Sequence, residues 1–170
     1  MNPTNILIEK AVDIWCNALK NPRFDNGDSS LTGAMTNSMA NELIGKAIEN
    51  EPDLDKKILF FKEYLTADLI EKSKNEASYF WASLSCDYGP DKNLQLAADK
   101  AGIPYNLFSA KSNVYINETF LEAKFGYGVN NTCYYPLPDG RWLKTTLRGD
   151  DMEKVINSVM DGNPLGLEVE

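Results

Sequence analysis

Glu122-Ala123-Lys124 sets a carboxylate and an ammonium two residues apart, and Pro90-Asp91 lies 31 residues before Glu122. In a strand, alternate side chains share a face, so Glu122 and Lys124 point the same way. With Asp91 beside them, two carboxylates could hold Mg²⁺ while the lysine steadies an attacking water, as metal-assisted hydrolysis requires. A second group, Asp87-Tyr88-Gly89-Pro90-Asp91, joins a strand to a helix. Its two carboxylates are too few for tight calcium binding, and helix capping already accounts for Asp91. Nucleophilic chemistry has little to work with. The chain contains no histidine, which removes Ser-His-Asp and Cys-His catalysis and every His-bearing zinc site. Cys16, Cys86 and Cys133 are widely spaced, form no C-x-x-C pair and cannot complete an all-cysteine tetrahedral site; they read as buried thiols in a reducing compartment. Gly126-Tyr127-Gly128 lacks the spacing of a phosphate-binding loop and reads as a strand bulge. No catalytic residue, metal or cofactor is expected.

The elements that must position these groups fall into two parts of one domain, 1–76 helical and 77–170 α+β. Ile8, Val12, Trp15 and Leu19 recur at three- and four-residue steps, predicting a helix from about Thr4 to Lys20 that Asn21-Pro22 ends. Turn-forming residues from Arg23 to Ser30 precede a second periodic run through Met35, Met39, Leu43, Ala47 and Ile48. A third helix, capped by Asp53 or Asp55, carries Ile58, Phe61, Leu65 and Leu69 on one stripe. Beyond Ala77 the apolar runs shorten. Strands are predicted at Ser78 to Cys86, Ser112 to Asn117, Phe120 to Tyr127, Thr132 to Leu137 and Arg141 to Leu147, and the last four have connections short enough to force antiparallel neighbours. A helix from Asp91 to Ala101 stops at Gly102, and a last helix begins at Asp150. The fold class is therefore α+β: N-terminal helices packed with a mostly antiparallel sheet, and a C-terminal helix.

Charge sets the sign of any partner. Of 170 residues, 17 are Lys or Arg and 25 Asp or Glu, a net charge of −8 shared between the two halves. Such a chain repels phosphate backbones, so direct nucleic-acid binding is not expected, whereas encounter with a basic protein is accelerated. Ile6-Leu7-Ile8 is followed at once by Glu9 and Lys10, and no window approaches the ~20 apolar residues of a membrane span. A cytoplasmic protein, monomeric or homodimeric, is expected, and the Asn117 and Asn130 sequons then carry no meaning. Asp87, Tyr88, Asp91, Glu122, Tyr127 and Tyr135 are the expected contact residues, because carboxylates and aromatics on a sheet rim compose protein-binding surfaces.

Two resemblances can be stated. Pro90-Asp91 with Glu122-x-Lys124 is similar to the pattern of restriction-endonuclease-like nucleases, which implies a Mg²⁺-dependent nuclease built on Asp91, Glu122 and Lys124. The departures are an aspartate placed as a helix cap and an acidity that opposes DNA. In overall profile (small size, pI near 4.6, no histidine, the Asp87 to Asp91 loop) the chain resembles bacterial immunity proteins that neutralise contact-dependent or other polymorphic toxins. That resemblance implies a non-enzymatic inhibitor that binds a basic toxin domain, often a nuclease. A phage or plasmid inhibitor that mimics nucleic acid fits the same profile, and a housekeeping interaction module remains open.

Overall fold

Leu7, Ile8, Ala11, Val12, Trp15 and Leu19 are all buried along one face of the first helix, α1 (Pro3–Lys20), as the apolar spacing predicts. The computed structural model describes residues 3–22, 27–75, 80–127, 130–148, 152–162 and 167–170. After α1 come α2 (Leu31–Glu49), α3 (Leu54–Lys74), β1 (Ala82–Cys86), α4 (Lys92–Ala101), a 3₁₀ turn (Tyr105–Leu107), β2 (Ser112–Ile116), β3 (Leu121–Lys124), β4 (Thr132–Pro136), β5 (Trp142–Thr145), α5 (Met152–Met160) and β6 (Glu168–Val169). The class is α+β, and the six strands run in chain order, each antiparallel to the next. The short β6 has no counterpart in the sequence reading. The expected start of β1 at Ser78 and the Asp150 cap lie outside the described residues.

The sheet changes its covering along its width. On one face, Leu84, Val114, Ile116, Leu121 and Ala123 join α1, α3 and α4 in the larger core, where Trp15 meets Phe125 edge-on at 5.1 Å and Phe108 at 5.8 Å. On the opposite face, Cys133, Tyr135 and Leu143 of β4 and β5 join Met152 and Val159 of α5 in a second core. The register makes this unavoidable: Leu121 pairs with Tyr134 and Glu122 with Cys133, so the residues that α5 covers are those whose β3 neighbours point away from α1. Lys10 of α1 fastens the far end. Its ammonium reaches the Glu170 carboxylate at 2.7 Å and sits 5.4 Å from both the Tyr134 and Trp142 rings.

Ile58, Phe61, Leu65 and Leu69 of α3 are buried, as expected. Asp53 does occupy the N-cap position of α3, yet its backbone is left-handed (φ 57°) and its side chain makes no capping bond; it pairs with Lys56 at 3.3 Å instead. The α2 stripe departs further. Only Ala47 and Ile48 pack against the core, while Met35, Met39 and Leu43 face solvent. α2 meets the body at the 3₁₀ turn, and its less exposed positions include Gly33, covered by Asp28, then Asn37, Ala40, Ile44, Ala47 and Ile48. Periodicity defines a stripe but cannot say on which side a neighbour stands.

Candidate functional site

In the meander, the end of β1, the start of β2 and the end of β3 meet at one rim. Cys86 pairs with Ser112 and Asn113 with Lys124, so Asp87, Lys111 and the residues after Lys124 emerge together. Lys111 enters β2 through a left-handed turn (φ 57°), an uncommon conformation for a side chain with a Cβ. Its backbone N–H donates to the Asp87 carbonyl at 3.0 Å, and its ammonium pairs with the Asp87 carboxylate. The same ammonium lies 4.2 Å from the centre of the Tyr88 ring and 5.8 Å from that of Tyr127. The Tyr127 hydroxyl donates to the Tyr88 hydroxyl at 3.3 Å. Tyr88 is thus held from two sides although it is 81% exposed. The hydrogen bond to Asp87 raises the Lys111 pKa, so the ammonium beneath the ring stays charged. Gly27, at φ +72°, lies against Tyr127: a Cβ there would come 3.1 Å from that of the tyrosine, so the approach to α2 starts on this rim.

Three of the six expected contact residues, Asp87, Tyr88 and Tyr127, come together here. The other three do not. Asp91 caps α4: one carboxylate oxygen accepts from the Asn93 and Leu94 amides at 2.8 and 3.1 Å, and the other accepts from the Ser85 amide. It is a structural carboxylate that also closes the outer edge of β1, where its own N–H donates to the Ser85 carbonyl at 2.7 Å. Glu122 is largely buried and neutralised, bonded by the Asn131 amide and paired with Arg148 at 3.2 Å. Tyr135, expected at the rim, lies in the α5 core, stacked on Phe120 at 5.1 Å, where burial pushes its phenol up to about 12.

Glu122 and Lys124 do share the half-exposed sheet face, in a depression with Asn113, Tyr115, Asn131 and Arg148. Asp91 is not among the residues lining it, so the three members of the nuclease-like pattern do not converge. Lys124 pairs with Asn113 and Glu122 with Tyr115, which leaves Glu122 without a second carboxylate across the ladder. Among the described residues no three His, Cys, Asp or Glu side chains gather in a metal-binding group.

Lys111 is the site residue the sequence reading missed. The signal lay in strand register: pairing Cys86 with Ser112 sets Lys111 opposite Asp87, but a pairing register cannot be read from one strand at a time. No protein-family model, curated protein or solved structure matches the chain.

Proposed function

We propose that the chain is a non-enzymatic inhibitor that binds and neutralises a basic protein toxin domain, a nuclease being the best fit, with the Asp87–Tyr88–Lys111–Tyr127 rim as its contact face. The observation that carries this reading is Tyr88, an aromatic side chain presented to solvent on a braced support. Ordering an anchor before binding removes part of the entropic cost of association, and tyrosines in such settings dominate interface energetics. Charge supports the sign of the partner. Among the described residues at least twelve Lys and Arg side chains pair with carboxylates of the same chain, Lys111 with Asp87 among them, and the net charge of −8 favours encounter with a basic partner over the molecule as a whole.

The test is protection. Cells producing the basic toxin domain encoded beside this chain's gene grow when the chain is co-produced, and Tyr88→Ala abolishes that growth while leaving the chain folded. With purified proteins, Tyr88→Ala weakens the complex by on the order of 2 kcal/mol, mainly through faster dissociation. Asp87→Lys chiefly slows association at low salt. A gene neighbourhood without a toxin, or protection unchanged by both substitutions, rejects the reading.

A further inference from the structure

Helices α1, α3 and α4 cover one face of β1, β2 and β3, while α5 covers the opposite face only at β4 and β5. Among the described residues the outer face of β1 to β3 therefore stays open. Tyr115 pairs with Glu122 and Asn113 with Lys124, so these side chains share that face, and Asn131, one residue before the Ala123–Thr132 pair, extends the Asn113–Lys124 row. With Arg148 they line a hollow of about 380 Å³. Its hydrogen-bonding capacity is lopsided. Glu122 is its one carboxylate, and both oxygens are taken, one by the Asn131 amide and one by Arg148. Asn113 Oδ1 already accepts the Ser83 hydroxyl at 2.9 Å, and Lys124 makes no ion pair among the described residues. What remains is N–H: the Lys124 ammonium, the Asn113 amide, the second N–H of Asn131 and the outer N–H groups of Arg148. Two cations against one carboxylate give the lining a net charge of +1, in a chain of −8. An aromatic platform adjoins it. Trp81, 54% exposed, meets Tyr115 at 6.5 Å between ring centres, and by register Trp81, Tyr115 and Lys124 occupy successive strands along one diagonal of the sheet, in steps of about 7–8 Å.

We propose that this open face binds a nucleoside monophosphate, with the phosphate among Asn113, Lys124, Asn131 and Arg148 and the base on Trp81 and Tyr115. Charge selects the sign of the ligand: a hollow whose only carboxylate is already satisfied, and whose free groups are donors, takes an anion. Number selects its kind. Four donor side chains, carried by β2, β3 and the residues flanking β4 and β5, match the three terminal oxygens of a phosphate better than the two of a carboxylate. The exposed indole selects a flat partner, and stacking of this sort accepts any base. The distant carboxylates that make the chain acidic are screened beyond a Debye length of ~8 Å, so they do not cancel the local charge. A polynucleotide would carry further phosphates past the hollow onto that acidic exterior, which limits the ligand to a single nucleotide. The inference does not depend on the Tyr88 reading.

Titration calorimetry of the full chain with the four ribonucleoside 5′-monophosphates tests it. At least one of them saturates a single site per chain, while the parent nucleoside and inorganic phosphate each bind on the order of tenfold more weakly. Lys124→Gln and Trp81→Ala, both away from the cores, retain the circular dichroism of the wild type. The first lowers nucleotide affinity on the order of tenfold and flattens its salt dependence, whereas the second lowers it by a similar factor and leaves that dependence unchanged. Glu122→Gln tightens binding several-fold, because it removes the one negative charge in the hollow, and a damaged fold would not produce a gain. Tyr88→Ala leaves nucleotide binding intact, which separates this result from that of the toxin-binding face. No saturable binding of any of the four overturns the proposal, as does binding indifferent to Lys124 and Trp81 or a Glu122→Gln protein that binds no tighter. Inorganic phosphate that binds as tightly as the nucleotides also overturns it, and reduces the hollow to a bare oxyanion site.

Discussion

Trp15 is the residue on which the larger core turns. It is fully buried, packed by Phe108 and Phe125, and Phe108 in turn meets Phe61 of α3 at 5.9 Å. Among the described residues its indole N–H has no hydrogen-bond partner. Trp15→Ala should therefore cost about 3–5 kcal/mol in denaturant unfolding, through lost burial and the cavity left behind. Trp15→Phe should cost markedly less, because it gives up ring volume but no hydrogen bond. Residue-scale chemistry was legible where one residue type excludes a whole class, as with the missing histidine. It was illegible where meaning depends on neighbours. Glu122 reads as an available carboxylate until Arg148 and Asn131 are seen to occupy it, and Tyr135 reads as a surface aromatic until α5 covers it. The three thiols behaved as small apolar side chains: all are buried, with burial raising Cys16 to about 12 and Cys86 to about 11.

At the scale of elements, α2 is decided by its first turn. Asp28 accepts the amide and hydroxyl of Ser30 at 2.8 Å each, and the Ser30 hydroxyl oxygen accepts the Gly33 amide at 3.1 Å. These bonds hold the Ser30 cap and draw the Asp28 carbonyl into the space where a Cβ on Gly33 would stand. Alanine normally stabilises a helical position relative to glycine by about 1 kcal/mol. Here Gly33→Ala should instead lower stability by about 1–2 kcal/mol in thermal unfolding, since either the new methyl or the cap must move. The four-strand run from Ser112 to Leu147 was legible because its turns carry their own chemistry: Asn117 Oδ1 accepts the Thr119 amide at 3.1 Å, and Gly140 supplies the positive φ (+87°) that the Pro138-Asp139-Gly140 turn uses. The outward side of α2 was not legible, because apolar spacing predicts the helix equally well whether its stripe meets a core or water.

Across the whole molecule, the Lys10–Glu170 pair ties the first helix to the last strand. The hydrogen bond from Lys10 holds the Glu170 carboxyl below the ordinary carboxylate range, against partial burial that works the other way. A carboxylate depressed in the folded state contributes stability that is complete above its unfolded value, about 4.3, and that fades as pH falls through the lower folded value. Glu170→Gln should accordingly lower Tm near about pH 7, and the gap to the wild type should close on titration toward about pH 3. This tie bridges the place where the sheet exchanges one covering for another. The buried members of each core lie on their own side of the β3–β4 seam, and among the described residues β3 and β4 are joined by three residue pairs. Parting the ladder there, with release of Lys10, gives up the Phe120–Tyr135 stack and the packing of Tyr134 and Trp142 on the larger core, but keeps the fully buried members of each cluster together. Amide protons of β4, β5 and α5 should then exchange with solvent through a sub-global opening of lower free energy than the one that exposes α1, α3 and β2. In that picture the chain behaves as two cooperative units sharing one sheet, and the lesser of them can be lost and regained while the rim that carries Tyr88 stays folded.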